Sequence, residues 1–303
     1  MSFSNTFDTT NNGSAVSNRE DLTDVLTILA PEETPILSSA NKNKASATFV
    51  EWTVDGLDSP VTTGITEGAD VTAFTDKFSG RARLGNYVQK FRRDYMVSDL
   101  QDAVDSVGPA KIAQAEAKAI RELKRDIEAT LSSSNDRAVE NGAGTAYGLR
   151  GLGDWLDSAG PTDVPAAYRT PATSIYTTTE ANANAFTEST LNDLITSIYK
   201  ETGSTNSLTL VADTGLRRVI SDFARLDAAG AAGANTGVRS VNYEGGNSTI
   251  KLSVEMYQSD HGMVSIVNAN PDCAPTFTGA GANASGYLIN PEYFGIAELI
   301  PMG

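Results

Sequence analysis

The sequence predicts a mixed α+β protein, and three patterns carry that reading. Residues 46 to 54, SATFVEWTV, alternate so that Val50, Trp52 and Val54 share one face, the period of a strand. Residues 109 to 131 repeat Ile112, Ile120, Leu123, Ile127 and Leu131 on one stripe, the period of a long helix. From residue 189 a helix, a strand and a second helix follow one another with turns of a few residues.

Taken in order, residues 1 to about 18 are rich in Ser, Thr, Asn and Gly, too polar to offset the entropy of ordering alone, so a flexible arm is expected. Residues 18 to 30 then set Leu22, Val25, Leu26 and Leu29 at helical spacing, with Asn18 as N-cap and Pro31 as the stop. The strand at 46–54 is answered by a second strand-like run over 81–98, separated from it by a Gly-, Thr- and Asp-rich stretch without helical period. This predicts a long two-stranded excursion reaching on the order of 50 Å at ~3.3 Å per residue. Two strands are marginal alone in water, and nothing near them in sequence offers a surface.

The charges of the two arms are complementary. Glu51, Asp55, Asp58, Glu67 and Asp70 lie on the first arm and tip, Arg81, Arg83, Lys90, Arg92 and Arg93 on the second. Arg81 and Arg83 therefore either pair with the acidic arm or reach phosphate or a partner's carboxylates. Lys77, the lone lysine near the tip, has no local feature that would activate it for crosslinking.

After a short helical segment over 97–108, Pro109 opens the long helix at a position where a missing N–H costs nothing. Its stripe places Ile120 and Ile127 on a core face, and Lys118, Glu122, Lys124 and Glu128 on solvated or subunit-facing sides. Residues 132–188 read as irregular, with one apolar island at 148–157, GLRGLGDWLD. A helix over 189–202 should turn Leu191, Leu194, Ile195 and Ile198 inward and end on Gly203. A strand over 207–213, a helix from Thr214, a flexible glycine- and alanine-rich stretch at 228–238, and strands at 249–260, 262–270 and 292–301 complete the chain.

Composition narrows the chemistry. The 303 residues hold Lys+Arg 23 against Asp+Glu 38, a net charge of −15, which argues against a basic nucleic-acid binder. One cysteine, Cys273, excludes an intrachain disulfide, and with one histidine, His261, leaves too few ligands for a soft-metal site. A catalytic triad would have to use His261, which sits in a turn composition between two strands; Cys273, beside Pro271 and Pro275, reads as a loop thiol. Asp213-Thr214-Gly215 has the aspartic-protease triplet, but an amphipathic helix follows, so Asp213 is expected to be a helix N-cap. Gly279, Gly281 and Ala284 match a dinucleotide spacing without the strand–turn–helix it needs. Sequons at Asn12, Asn247 and Asn283 carry nothing without a secretion signal, and the start of the chain shows none, so a cytosolic protein is expected.

The order of these blocks resembles the major capsid proteins of tailed bacteriophages, the HK97-type fold. LTDVLTILAPEETPILSSA, EWTVDGLDSP, YMVSDLQDAVDSVG with AKAIRELKRDIEATL, GLRGL, TLNDLITSIYKETG with LTLVADTGLRRVISDF, and LINPEYFGIAELIP follow one another over most of residues 22–301. The resemblance implies an N-terminal arm at 1–45, an extended loop at 46–95 and a peripheral domain with a spine helix at 96–170. It further implies an axial domain at 171–285 and a C-terminal return strand of the peripheral domain at 286–303. It also implies self-assembly into pentamers and hexamers of an icosahedral shell around double-stranded DNA, held without sequence-specific binding. Scaffold, portal and decoration proteins are further partners of such shells. No membrane, cofactor, metal or catalytic residue is implied, and the expected location is the virion, after assembly in the host cytoplasm. Inter-subunit contacts are expected from the extended loop at Trp52, Glu67, Asp70, Phe74, Phe78, Arg81 and Arg83. An encapsulin-like compartment and a soluble hydrolase using carboxylates or Mg²⁺ are the alternatives.

Overall fold

A computed structural model describes residues 31–78, 80–104, 111–177, 186–203, 205, 207–223, 241–244, 247–250, 254–273 and 285–301. The amphipathic helix expected over 18–30, the flexible stretch at 228–238 and the Gly279, Gly281, Ala284 spacing lie outside these residues. The described chain falls into two compact units, one of Arg93–Arg121 and the other of Pro31–Arg92 with Glu122–Gly303.

Ten strands and six α-helices are assigned among the described residues. The strands are β1 Asn41–Lys44, β2 Phe49–Val54, β3 Ala82–Tyr87, β4 Leu208–Ala212, β5 Val241–Glu244, β6 Asn247–Ile250, β7 Met256–Ser259, β8 Gly262–Asn268, β9 Gly286–Ile289 and β10 Gly295–Glu298. The helices are α1 Pro35–Ser39, α2 Asp99–Ala103, α3 Lys111–Ser132, α4 Leu152–Trp155, α5 Glu188–Thr202 and α6 Thr214–Phe223.

The larger unit is organised on a four-stranded mixed sheet in the order β7-β8-β4-β9. β4 runs parallel to β8, with Leu208 opposite Val264, and antiparallel to β9. Its sequence LTLVA is apolar almost without interruption because both faces are covered. Leu208, Leu210 and Ala212 face α5 and α6, packing with Leu191, Ile195, Leu216, Ile220, Val264 and Ile266. Val211, Tyr287 and Ile289 point the other way, into a second core with Ile36, Leu131, Leu152 and Ala269.

Local signals place the helices on this sheet. Thr187 caps α5 by accepting from Thr190 N at 3.3 Å, and Gly203 ends it at φ +70°, where a side chain would be strained. Asp213 is the helix N-cap expected, its Oδ1 accepting from Leu216 N at 2.8 Å.

Several strand expectations change, and the single strand expected over 249–260 is two, β6 ending at Ile250 and β7 starting at Met256. The arm expected over 81–98 is a strand only as far as Tyr87, so the paired arms are six residues each, about 20 Å. β9 falls in residues read without a strand, and the last strand narrows to Gly295–Glu298. β10 pairs in parallel with β1, an Asn-Lys-Asn-Lys run with no apolar period and all four residues exposed.

The long helix matches its expected span but not its expected burial. Its stripe is covered only toward the C-terminus, with Leu131 buried and Ile127 partly so, while Ile120 remains 36% exposed. Glu128, expected on a solvated side, is buried and receives Ile36 N at 2.9 Å and Leu37 N at 2.8 Å. These are orphan N–H groups of the first turn of α1, where Thr34 offers no side-chain cap. Ser132 and Tyr287 tie the same helix end to the sheet, Tyr287 Oη donating to Ser132 O at 2.8 Å and Ser132 Oγ to Cys273 O at 2.6 Å. Cys273 is thus not a loose loop thiol; it is 6% exposed, and burial pushes its thiol above the usual value.

The smaller unit holds α2 and the first half of α3. Ser98 caps α2, accepting from Gln101 N at 3.2 Å, and the Lys111 ammonium donates to carbonyls at its end, among them Asp102 O at 3.2 Å. Among its described residues none is buried.

Candidate subunit interface

The β2–β3 hairpin is the root of the excursion, and the apparently irregular residues 136–168 supply the surface it lacks in sequence. Asn86 on β3 exchanges two hydrogen bonds with the backbone of Arg150, its Oδ1 accepting from Arg150 N at 2.9 Å and its Nδ2 donating to Arg150 O at 3.2 Å. Arg137 Nη1 donates to Gly85 O at 2.9 Å, and its guanidinium lies 5.2 Å over the Phe49 ring. Trp52 on β2 meets Trp155 at 5.7 Å, and Tyr87 stacks on Tyr147 at 5.6 Å.

Beneath the hairpin lies a charged cluster centred on Arg150, whose side chain is 0% exposed. Its Nε donates to Asp136 Oδ1 at 2.9 Å, its Nη2 to the same oxygen at 2.6 Å and to Asp163 Oδ1, and Asp154 Oδ2 approaches Nε at 2.9 Å. Its plane lies 4.7 Å over the Trp155 ring. Arg137 Nη2 reaches Asp163 Oδ2 at 3.0 Å, so two guanidinium groups serve three carboxylates. The segment carrying Arg150 can reach this position because Gly151 has no side chain: a Cβ there would stand 2.1 Å from Ser133 O.

The carboxylates of the cluster differ. Burial and the nearby Asp136 push the Asp154 carboxyl above its usual value against the pull of Arg150. Burial also acts to raise Asp163, but its hydrogen bond and attraction to Arg150, helped by Arg137, outweigh it and hold that carboxyl below its usual value. A carboxyl lowered by folding contributes stability above its unfolded value and loses it as pH falls through the lower folded one. Asp163→Asn is therefore expected to melt below the parent at neutral pH, with the gap closing as pH drops below the unfolded value of 3.8. A gap independent of pH, followed by thermal melts, would assign the loss to packing instead.

Beyond the root, residues 55–78 carry no helix or strand, and every one is exposed. Ile65 is 88% and Phe74 93% exposed, with Leu57, Val61 and Val71 comparably bare. Glu67 and Asp70 lie with Phe74 on this uncovered stretch, all three exposed. Trp52, Phe78, Arg81 and Arg83 sit nearer the root. Arg81 Nε donates to Asp55 Oδ2 at 2.7 Å and its guanidinium covers Phe78 at 4.2 Å. Arg83 lies 3.7 Å from Glu51, and Lys77 pairs with Asp58. Of the two readings of the complementary charges, the geometry shows pairing within the hairpin. Tyr168 Oη, donating to Gly80 O at 2.6 Å, pins the loop just before it enters β3.

Arg137, Arg150, Glu128 and Tyr168 were missed by sequence reasoning. For Arg150 a signal existed: a cation inside the apolar island GLRGLGDW, with Asp154 four residues on, asks for buried partners. His261 occupies the expected β7–β8 turn, stacked at 5.1 Å on Tyr199. Among the described residues no group of His, Cys, Asp and Glu is arranged to hold a metal ion, and no helix is long and apolar enough to cross a membrane.

A mixed helix-and-strand chain whose loop is held at its root and otherwise bare presents apolar surface of the kind that marks an interaction site. A family model described as SU10 major capsid protein matches residues 3–303, and the chain belongs to that family. It is a major capsid protein, a shell subunit of a phage virion that assembles with other capsid subunits. Among solved structures it is similar to one described as the capsid structure of the cyanophage P-SCSP1u, at 13% identity and a TM-score of 0.49, over 93% of this chain and 79% of that one. No curated protein matches it.

Proposed function

We propose that this chain has the HK97-type capsid fold and builds pentamers and hexamers of an icosahedral shell around double-stranded DNA. Residues 1–45 serve as N-terminal arm, 46–95 as extended loop, 96–170 with 286–303 as peripheral domain, and 171–285 as axial domain. Trp52, Glu67, Asp70, Phe74, Phe78, Arg81 and Arg83 contact neighbouring subunits, and the role is structural, with no catalytic step. The observation carrying this reading is the complete exposure of residues 55–78 in a capsid-family chain, since apolar side chains such as Ile65 and Phe74 gain cover only from another molecule. The net charge of −15 is compatible with packaged DNA, because a basic lining would hold phosphates through counterion release. Subunits assemble in the host cytoplasm, with scaffold, portal and decoration proteins as further partners.

Deleting residues 57–78 and joining the ends by a short Gly/Ser turn tests this directly. Because the segment is uncovered and Asp55 and Arg81 remain to close the root, the melting temperature should be unchanged while sedimentation shows loss of shells. Intact shells from the shortened chain would overturn the loop's assignment.

A further inference from the structure

Between Arg137 and Arg150, the two cations that seat the hairpin, the chain makes an exposed turn. Its base is closed by Ala138 and Gly148, Ala138 N donating to Gly148 O at 3.1 Å and Gly148 N to Ala138 O at 3.0 Å. Its tip, residues 139–146, is exposed throughout and contains the one Asn-Gly step among the described residues, Asn141-Gly142. The tip is folded around the Asn141 side chain. Its Oδ1 accepts from Ala143 N at 2.9 Å and from Thr145 N at 3.2 Å, while Asn141 N donates to Thr145 O at 3.3 Å. Gly142 stands at φ +68°, with nothing within 4 Å of the place a Cβ would take.

We propose that Asn141 is a site of spontaneous deamidation, at which this turn ages chemically. Three features single it out. Residue 142 has no side chain to block the approach of its own nitrogen to the Asn141 carboxamide carbon, and a glycine backbone is free to move there. The N–H groups of Ala143 and Thr145 already point at Oδ1, the atom that turns negative when that carbon becomes tetrahedral, so they serve as oxyanion donors. Exposure of the tip admits the water that the second step consumes. In the first step Gly142 N gives up its proton and bonds to Asn141 Cγ, the Cγ–Nδ2 bond breaks, and ammonia leaves behind a cyclic imide. Water then opens the ring. Cleavage between nitrogen and Cγ yields ordinary aspartate, whereas cleavage at the backbone carbonyl carbon yields isoaspartate, whose main chain runs through Cβ and Cγ. The sum is asparagine and water to aspartate or isoaspartate and ammonia, with nothing oxidised or reduced. The two products differ for the fold. Aspartate keeps the oxygens that Ala143 N and Thr145 N use, with a charge that strengthens both bonds. Isoaspartate adds a main-chain atom inside a turn closed at Ala138 and Gly148, and the strain falls next to Tyr147, whose ring stacks on Tyr87 of β3 at 5.6 Å. Isoaspartate at residue 141 therefore loosens the seat of the hairpin, irreversibly and in proportion to age.

The test is incubation of the full native chain at mildly alkaline pH, followed by trypsin and mass spectrometry. Cleavage after Arg137 and Arg150 releases residues 138–150, in which Asn141 is the only amide side chain. That peptide should exchange the mass of NH for O and split into two products of equal mass. It should do so at least roughly tenfold faster than the peptides carrying Asn86 or Asn192, where Tyr87 and Asp193 follow instead of glycine. The rate should rise with pH, because the attacking nitrogen must lose its proton. An unchanged peptide, or one that reacts no faster than those two, would overturn the proposal. Asn141→Asp introduces the charge without the extra main-chain atom and should melt like the parent. The aged parent should melt lower as its isoaspartate content grows. An aged chain rich in isoaspartate that still melts with the fresh parent would overturn the loosening of the hairpin seat.

Discussion

Arg150→Ala is expected to cost about 3–5 kcal/mol, the usual consequence of removing one partner from a buried charge network. That is a large part of a total stability of ~5–15 kcal/mol, so much of the purified variant should be unfolded or aggregated. Three carboxylates, Asp136, Asp154 and Asp163, would face one another across a space holding no cation except Arg137 at its edge. Arg150→Lys should recover only part of the loss, because an ammonium cannot serve Asp136 and Asp163 at once while lying over the Trp155 ring. Arg83→Ala provides the contrast on the same hairpin: its pair with Glu51 is exposed at 3.7 Å and should be worth under about 1 kcal/mol. Denaturant titration measures all three, and an Arg150→Ala midpoint equal to the parent's would show that the cluster does not hold the hairpin root.

Glu128→Ala should be nearly as severe. It leaves Ile36 N and Leu37 N without acceptors in a buried site, at roughly 1–3 kcal/mol each, and opens a cavity where α3 meets α1. Glu128→Gln keeps one acceptor oxygen but turns an amide N–H toward the other donor, so its loss should be smaller. The comparison of parent with Glu128→Gln also has a pH signature. Burial pushes the Glu128 carboxyl up, more than the two backbone donors pull it down. A carboxyl raised by folding contributes stability that is complete below its unfolded value of 4.5 and is lost as pH rises through the folded one. The parent should therefore gain on the glutamine variant as pH is lowered from 7 toward 4.5, because the other carboxylates are common to both. Melting temperatures that move in parallel over that range would mean that the two donors cancel the effect of burial, and a parent that loses on the variant would mean that they outweigh it.

The elements readable from sequence are those whose causes lie within one turn or one strand. Asp213 caps the residue three positions on, Gly203 ends the helix it follows, Val50, Trp52 and Val54 alternate on their own strand, and the apolar step of α3 repeats along its own axis. Such patterns are written in neighbouring residues because 3.6- and 2-residue periods are properties of the local backbone. The same locality explains the errors. The strand expected to run on to residue 98 stops at Tyr87, since alternation marks what could pair, whereas β2 supplies partners only from Phe49 to Val54.

The family-level identity was legible as well, through the order of blocks along the whole chain, and the membership of residues 3–303 agrees with it. By itself, then, the sequence determined the mixed fold, the span of α3, the caps at Asp213 and Gly203, the uncovered loop and the capsid class. Only the tertiary structure decided that an exposed NKNK run is a strand, because its partner β10 lies some 250 residues away. Likewise only the fold turned Glu128 from a surface charge into the cap of a helix 92 residues earlier, and Arg150 from a loop residue into the anchor of the hairpin. A charge's role depends on which groups share its low-dielectric surroundings, and those groups arrive from separations at which residue spacing carries no information.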